Sequence, residues 1–356
     1  MHILIKCTIL LLVSFSTQAQ VVKTPVGTTI STASINAFFD TQMETTNTPG
    51  ISLAIINDGK VVYHTVKGYS APDTPMTTKT IFEGASLSKP LFSFFVMQLV
   101  EKGVLDLDTP LYTYLPYEDI AHDERYKMIT ARMVLSHKTG FPNWRDQDGR
   151  TGLTIDFDPG TQFQYSGEGY QYLALVLQKL LKTDAVGLQK RFHKQVAKPL
   201  GLEVTRYIPN RKNQKNKAQA FKNGAWLPVS NQGDNEFGAA YGVNSEAKDW
   251  AKLMIAWMNK EGLSSKGYEE LFKKQTELPD DNPNKAMGIS HVTLGFYIGA
   301  FPFGNVYGHG GNNDQEFTSL FFFTPDSKWG AVLFTNSSFG EQMGIEFLQY
   351  VLTAGE

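Results

Sequence analysis

Ser86 and Lys89 stand three residues apart in FEGASLSKPLFSFFVMQLVEKG, residues 82 to 103. On a helix that spacing is one turn along the same face, so the lysine amine can reach the serine hydroxyl. A serine hydroxyl is a weak nucleophile until a base takes its proton. Lysine can be that base only where burial or neighbouring cations keep part of its amine neutral. Phe92, Phe95, Val96, Leu99 and Val100 recur at helical spacing and Gly103 ends the run, which predicts a buried helix opened by the pair. In its first turn Ser86 would meet free backbone N–H groups and the positive end of the helix dipole, both of which stabilise an oxyanion. Pro90 is tolerated that early. The spacing alone does not decide the matter, because Ser245 and Lys248 repeat it in GVNSEAKDWAKLM. There Ser245 reads as the N-cap of an amphipathic helix. Only partners elsewhere in the chain separate the two pairs.

Two later stretches offer such partners. In PGTQFQYSGEGYQYL, Tyr165 follows a Pro-Gly turn at the mouth of a helix. A phenol near Lys89 and Ser86 could relay protons, its anion stabilised by the lysine charge. In VYGHGGNNDQEFTSLFF, His309, Gly310 and Gly311 precede a strand. Paired glycines let a ligand approach the backbone closely, and an edge strand can pair with an extended substrate. Taken singly, one tyrosine among 15 is ordinarily a core residue, and a lone histidine a structural one.

The elements that must position these groups follow from periodicity. A helical stripe of Ile35, Phe38, Phe39 and Met43 follows a Ser/Thr cap. ISLAIIN and KVVYHTVKG flank Asn57, Asp58 and Gly59, a hairpin signal. From Leu105 to about Tyr241 the chain reads as helix and loop, with helices over Tyr170 to Leu181 and Gly187 to Leu200. The Lys and Asn cluster from Lys212 to Lys217 reads as a solvated turn. After the Ser245 helix come a helical run from Tyr268 to Gln275, a loop at 279 to 285, and the strand-like VTLGFYIGAF, FTSLFFFTP and WGAVLFTNS. A helix from Gly340 to Leu352 closes the chain. Strands at both ends with helices between predict an α/β (α+β) protein: residues 21–84 and 242–356 form an antiparallel domain around an inserted helical domain, 85–241.

The 356 residues, 42% of them hydrophobic, suffice for one large domain or two closely packed ones. A net charge of −2 gives no electrostatic support to a nucleic-acid role. Residues 1–20, with Lys6, an apolar run from Ile9 to Phe15 and Ala19 and Gln20 at the end, read as a secretory signal. That run is too short for a stable membrane span. Cys7, the sole cysteine, would leave with it, so the mature chain has no disulfide. A periplasmic or secreted location is expected.

The order Ser86 to Lys89, then Tyr165, then His309 to Gly311, resembles the serine β-lactamase and penicillin-binding-protein superfamily, which carries an S-x-x-K motif. The pattern is most similar to the group of class C β-lactamases, D-alanyl-D-alanine carboxypeptidases, D-aminopeptidases and related esterases. The likeness runs from about Gly50 to Asn336 and includes VLSHKTGFPNW, DPGTQFQYS, KPLGL and FFFTPDSKWGAVLFTNS. It implies a five-stranded antiparallel sheet flanked by helices. By the same resemblance Lys138, Thr139 and Gly140 belong to a histidine loop, the Ser245 pair is structural, and His309 takes the place of a lysine. Ser86 would be the nucleophile, Lys89 its activator, Tyr165 a proton shuttle and His309 a polarising group. Gly167, Gly310, Gly311 and Asn312 would bind substrate, the N–H groups of Ser86 and Asn312 forming an oxyanion hole. Hydrolysis of a small-molecule or peptide substrate through an acyl-Ser86 intermediate, without metal or cofactor, is the implied activity.

Two departures from the family pattern stand out. Gly167 occupies the position of an asparagine whose amide holds the substrate carbonyl. The NNDQEF loop is one residue longer, with Glu316 where glycine is usual. Gly167 keeps open a binding protein that recognises penicillin or peptidoglycan without turnover. Glu168 is either an acid in the cleft or a helix-start carboxylate.

Overall fold

The computed structural model describes residues 20–147, 149–229 and 235–354, so the expected signal segment lies, but for Gln20, outside the described residues. A short ladder of β1 (Val21–Lys23) and β2 (Thr29–Ser31) leads into α1 (Thr32–Thr46). Ser31 caps α1 by accepting the Ser34 N–H, and Asn47, at φ 52°, ends it. Strands β3 (Gly50–Asn57) and β4 (Lys60–Ala71) pair across the expected Asn57–Gly59 turn, and β5 (Thr74–Pro75) extends them. Strand β6 (Phe82–Ala85) delivers the chain to α2 (Ser88–Glu101).

Helices α3 (Ala131–Leu135), α4 (Gly167–Leu180), α5 (Ala185–Phe192) and α6 (Arg211–Asn216) follow, then the small pair β7 (Phe221–Lys222) and β8 (Ala225–Trp226). Next come β9 (Val243–Ser245), α7 (Ala247–Met258) and α8 (Ser265–Phe272). Strands β10 (Thr276–Glu277), β11 (Ile289–Val292), β12 (Tyr297–Phe301), β13 (Gly304–Asn313), β14 (Phe317–Thr324) and β15 (Trp329–Thr335) precede α9 (Gly340–Thr353).

The main sheet is antiparallel and runs β10, β11, β12, β13, β14, β15, β3, β4, β5. It therefore has nine strands where five were expected. The stretch VTLGFYIGAF does not form one strand: it breaks at Gly295, whose φ of 89° permits a tight turn, and folds back as β11 and β12 beside β13. Ile35, Phe39, Met343 and Phe347 from α1 and α9 pack on one face of the sheet. Trp250 and Trp257 of α7 and the almost wholly buried α2 belong to the larger core on the other face. A helix apolar all round belongs in the interior, and α2 is there.

Two local expectations are corrected. Ser245 is not a cap: it lies in β9, and Glu246 caps α7 by accepting the Lys248 and Asp249 N–H groups. Lys248 is exposed while Ser245 is buried, so that serine–lysine pair makes no site. The Lys212–Lys217 cluster is not simply a solvated turn, since α6 occupies most of it and Lys217 is buried, its Nζ 2.7 Å from Glu83 Oε1. Among the described residues no helix is long and apolar enough to cross a membrane.

Candidate active site

Between β6 and α2 the backbone turns sharply. Ala85 has φ 48°, a left-handed value that costs a non-glycine residue about 1–3 kcal/mol. Ser88 holds this turn in place: its Oγ donates to the Ala85 carbonyl at 2.6 Å and accepts the Val243 N–H at 2.9 Å. Ser86 thus sits immediately ahead of α2, one residue before the Leu87 cap.

Lys89 lies below it, 1% exposed, with Nζ 3.1 Å from Ser86 Oγ and 2.9 Å from the Ala240 carbonyl oxygen. Its Nζ also lies 4.5 Å from the centre of the Tyr165 ring. Desolvation by burial pulls the amine down to about 7 from an ordinary 10.5. A substantial neutral fraction therefore exists near neutrality, and in that form the nitrogen lone pair can take the Ser86 proton.

Tyr165 stands just before Ser166, the N-cap of α4. Behind it the histidine loop forms a wall: His137, strained at φ 58°, stacks on the Tyr165 ring at 4.5 Å and accepts the Ser166 N–H at Nδ1. Burial, joined by Tyr297, raises the Tyr165 phenol well above 10, while its interaction with Ser86 works the other way. The tyrosine is consequently a neutral phenol, because desolvation by burial is the largest influence on it.

His309, Gly310 and Gly311 lie inside β13 instead of preceding a strand. Strand β12 pairs with β13 only as far as Gly308, so His309 to Asn313 keep one edge free of β12 while β14 pairs along the other. Gly311 is required: a Cβ there would be 2.4 Å from the Gly84 carbonyl oxygen and 2.5 Å from Ser319 Oγ. His309 Nδ1 lies 2.5 Å from the Gly310 carbonyl oxygen. A carbonyl only accepts, so Nδ1 carries the proton and Nε2, buried and without a protein partner among the described residues, is a bare acceptor. Burial and the Lys89 charge hold His309 near about 3, so it acts as a neutral ring and not as a replacement cation.

Ser86, Tyr165, His309, Gly310, Gly311 and Asn312 line one cavity of about 450 Å³. Gly167 does not. A Cβ at Gly167 would be 2.6 Å from the Trp144 indole, which fills the space an asparagine side chain would need. Asn143, beside Trp144, is a residue sequence reasoning missed. Its Oδ1 accepts the Gly167 N–H at 3.0 Å, its amide nitrogen has no protein partner among the described residues, and it lines the cavity with Ser86. A second arm of the cleft also touches Ser86 and is rimmed by Lys222, Asp314 and Glu316. Glu168 is not in the cavity, because Arg145 binds it with Nε at 2.9 Å from Oε1 and Nη2 at 2.8 Å from Oε2. Tyr297 and Glu341, also missed, complete the wall; nothing in their local sequence distinguishes them from core and helix-start residues.

The chain is similar to known proteins in sequence and in fold. Protein flp of Staphylococcus aureus (strain MRSA252) is 23% identical over 333 residues, 85% of this chain, and the chain spans 62% of that relative's length. Penicillin-binding protein 4* of Bacillus subtilis (strain 168) is 30% identical over 166 residues, 41% of this chain and 35% of that protein. Among solved structures, the octameric penicillin-binding protein homologue from Pyrococcus abyssi superimposes with a TM-score of 0.76 at 22% identity, covering 91% of this chain and 78% of that one. A class C β-lactamase gives 0.76 at 17% identity, covering 91% and 96%. The fold is that of the β-lactamase and penicillin-binding-protein-like serine hydrolases. With the Beta-lactamase family model matching residues 35–354, the chain belongs to the Beta-lactamase family.

Proposed function

We propose that the protein is an exported serine hydrolase that cleaves an ester or amide through an acyl-Ser86 intermediate. The observation that carries this reading is the contact of 3.1 Å between Ser86 Oγ and a buried amine held near 7. As the Oγ–carbon bond forms, the Ser86 proton passes to Lys89 Nζ. The developing oxyanion is held by the N–H groups of Ser86 and Asn312, each such donor contributing about 3 kcal/mol in comparable sites. On collapse the proton travels from Lys89 through the Tyr165 hydroxyl to the leaving group. Water then repeats the sequence on the acyl ester, releasing the acid and restoring the serine. The free amide hydrogens of Asn143 supply the substrate contact that Gly167 lacks, which favours turnover over mere retention.

The test is intact-mass spectrometry and turnover with a fluorophosphonate, a penicillin and a short-chain aryl ester, each on wild type and Ser86→Ala. Ester hydrolysis abolished in the variant supports the proposal. A penicillin adduct that persists without turnover supports the binding-protein reading. Absence of any Ser86-dependent adduct or turnover refutes both.

A further inference from the structure

Two backbone N–H groups from separate strands have to converge on one oxyanion, that of Ser86 just beyond β6 and that of Asn312 near the end of β13. Nothing covalent fixes the distance between them, and a misplacement of about 1 Å can cost about a hundredfold in rate. Strand β6 is joined to the hairpin of β13 and β14 through Gly84 and Glu83. Ser319 Oγ of β14 donates to the Gly84 carbonyl at 3.1 Å. Gly311 lies so near that a Cβ on it would fall 2.4 Å from the same oxygen. Alternate residues of a strand share a face, so Asn313 also meets β6, and its Nδ2 donates to Glu83 Oε2 at 2.6 Å. Asn312 is held between Gly311 and Asn313.

Glu83 is 4% exposed and stands in the wall of neither arm of the cleft at Ser86. Its other oxygen, Oε1, lies 2.7 Å from Lys217 Nζ. A carboxylate acceptor makes the Asn313 bond stronger than one between two neutral groups. Past Asn313 the hairpin turns through Asp314 and Gln315, at φ 52° and 61°, left-handed values for two non-glycine residues. Asn312 Oδ1 accepts the Gln315 N–H at 2.7 Å, so the Asn312 side chain is engaged in that turn and its backbone goes where the hairpin goes. We propose that Glu83 is a positioning residue for the oxyanion hole: by holding Asn313 it sets the Asn312 N–H against that of Ser86. This rests on the hydrolase reading and adds to it a group that touches no reacting atom.

Asn313 also lines the polar arm of the cleft, so a direct contact with substrate is the rival account, and transposing the charge separates the two. Asn313→Asp keeps the shape of the side chain but cannot donate to Glu83. With a short-chain aryl ester, kcat and kcat/KM should fall together by about 10- to 100-fold, the loss expected when an oxyanion donor is displaced, while KM stays within about twofold. The double variant Glu83→Gln/Asn313→Asp restores a donor and an acceptor at the same net charge, the amide at position 83 now donating, and should recover most of that loss. A change at buried position 83 would not restore a contact between position 313 and substrate. Asn313→Ala, which leaves Glu83 and Lys217 paired, should show the same fall and serves if Asn313→Asp does not fold. Where wild type acylates without turnover, the rate of fluorophosphonate labelling takes the place of kcat. Single variants at the wild-type rate, or a double variant no faster than Asn313→Asp, overturn the positioning role and leave the hydrolase reading standing. A wild type that neither hydrolyses the ester nor labels at Ser86 refutes both.

Discussion

Burial does two opposed things to the amine of Lys89. It removes the water that stabilises an ammonium ion, which lowers the amine's basicity and leaves part of it neutral and able to take a proton near neutrality. Among the described residues it also leaves the charged form with the Ser86 oxygen, the Ala240 carbonyl and aromatic faces for company. The sign of the pH dependence follows. Below about 7 the amine is protonated and cannot accept from Ser86, so kcat/KM for a neutral ester should climb tenfold per unit at acid pH and level off above an apparent value near 7. Tyr165 lies well above 10 and His309 near 3, so neither bends the profile between. A profile flat from pH 5 to 9 (roughly the range over which a group near 7 would change state) would remove Lys89 from the role of base. The serine, lysine, tyrosine and histidine were legible in the sequence because their motifs are local. Asn143, Tyr297 and Glu341 were not, because each enters the cavity from a segment whose own pattern reads as loop, strand or helix start.

At the scale of the element, the site depends on how β6 ends and α2 begins. Ser88 joins the two by bonding Ala85 within the turn and Val243 on the neighbouring β9. Ser88→Ala leaves the buried Val243 N–H without its acceptor, which should destabilise the fold by about 1–3 kcal/mol. The same change frees the strained Ala85 turn, so acylation by a fluorophosphonate should slow while Lys89 remains in place. Denaturant midpoints and labelling rates measure the two effects separately; a variant as stable and as reactive as wild type would show that the turn needs no such clamp. Periodicity located α1, α2, α7 and α9 well, since each has a core-facing stripe or an apolar body. It misjudged β11 and β12, because a turn at Gly295 inside an apolar run leaves no polar gap to mark it.

Across the whole molecule, the cleft lies where the sheet meets the helical region, and a buried network spans that junction. Glu83 of β6 pairs with Lys217 at 2.7 Å and accepts from Asn313 Nδ2 of β13 at 2.6 Å. Removing one partner of a buried ion pair typically costs about 3–5 kcal/mol, since the remaining charge is left uncompensated. Lys217→Met should therefore destabilise by that order in urea unfolding, and adding Glu83→Gln should recover part of it. If the single and double variants match wild type, the pair contributes nothing to the junction. The amino-acid order by itself determined the antiparallel α/β plan, the helix that carries Lys89 and begins just after Ser86, and the motif order of a serine hydrolase, because helical and strand periodicity and motif spacing are written within short stretches. Only the tertiary structure decided that the sheet has nine strands, that Trp144 fills the place beside Gly167, that Arg145 withdraws Glu168 from the cleft and that Glu341 enters it. Those outcomes depend on which distant segments come within a few ångströms of one another, and on how burial then sets the charge of the groups they bring.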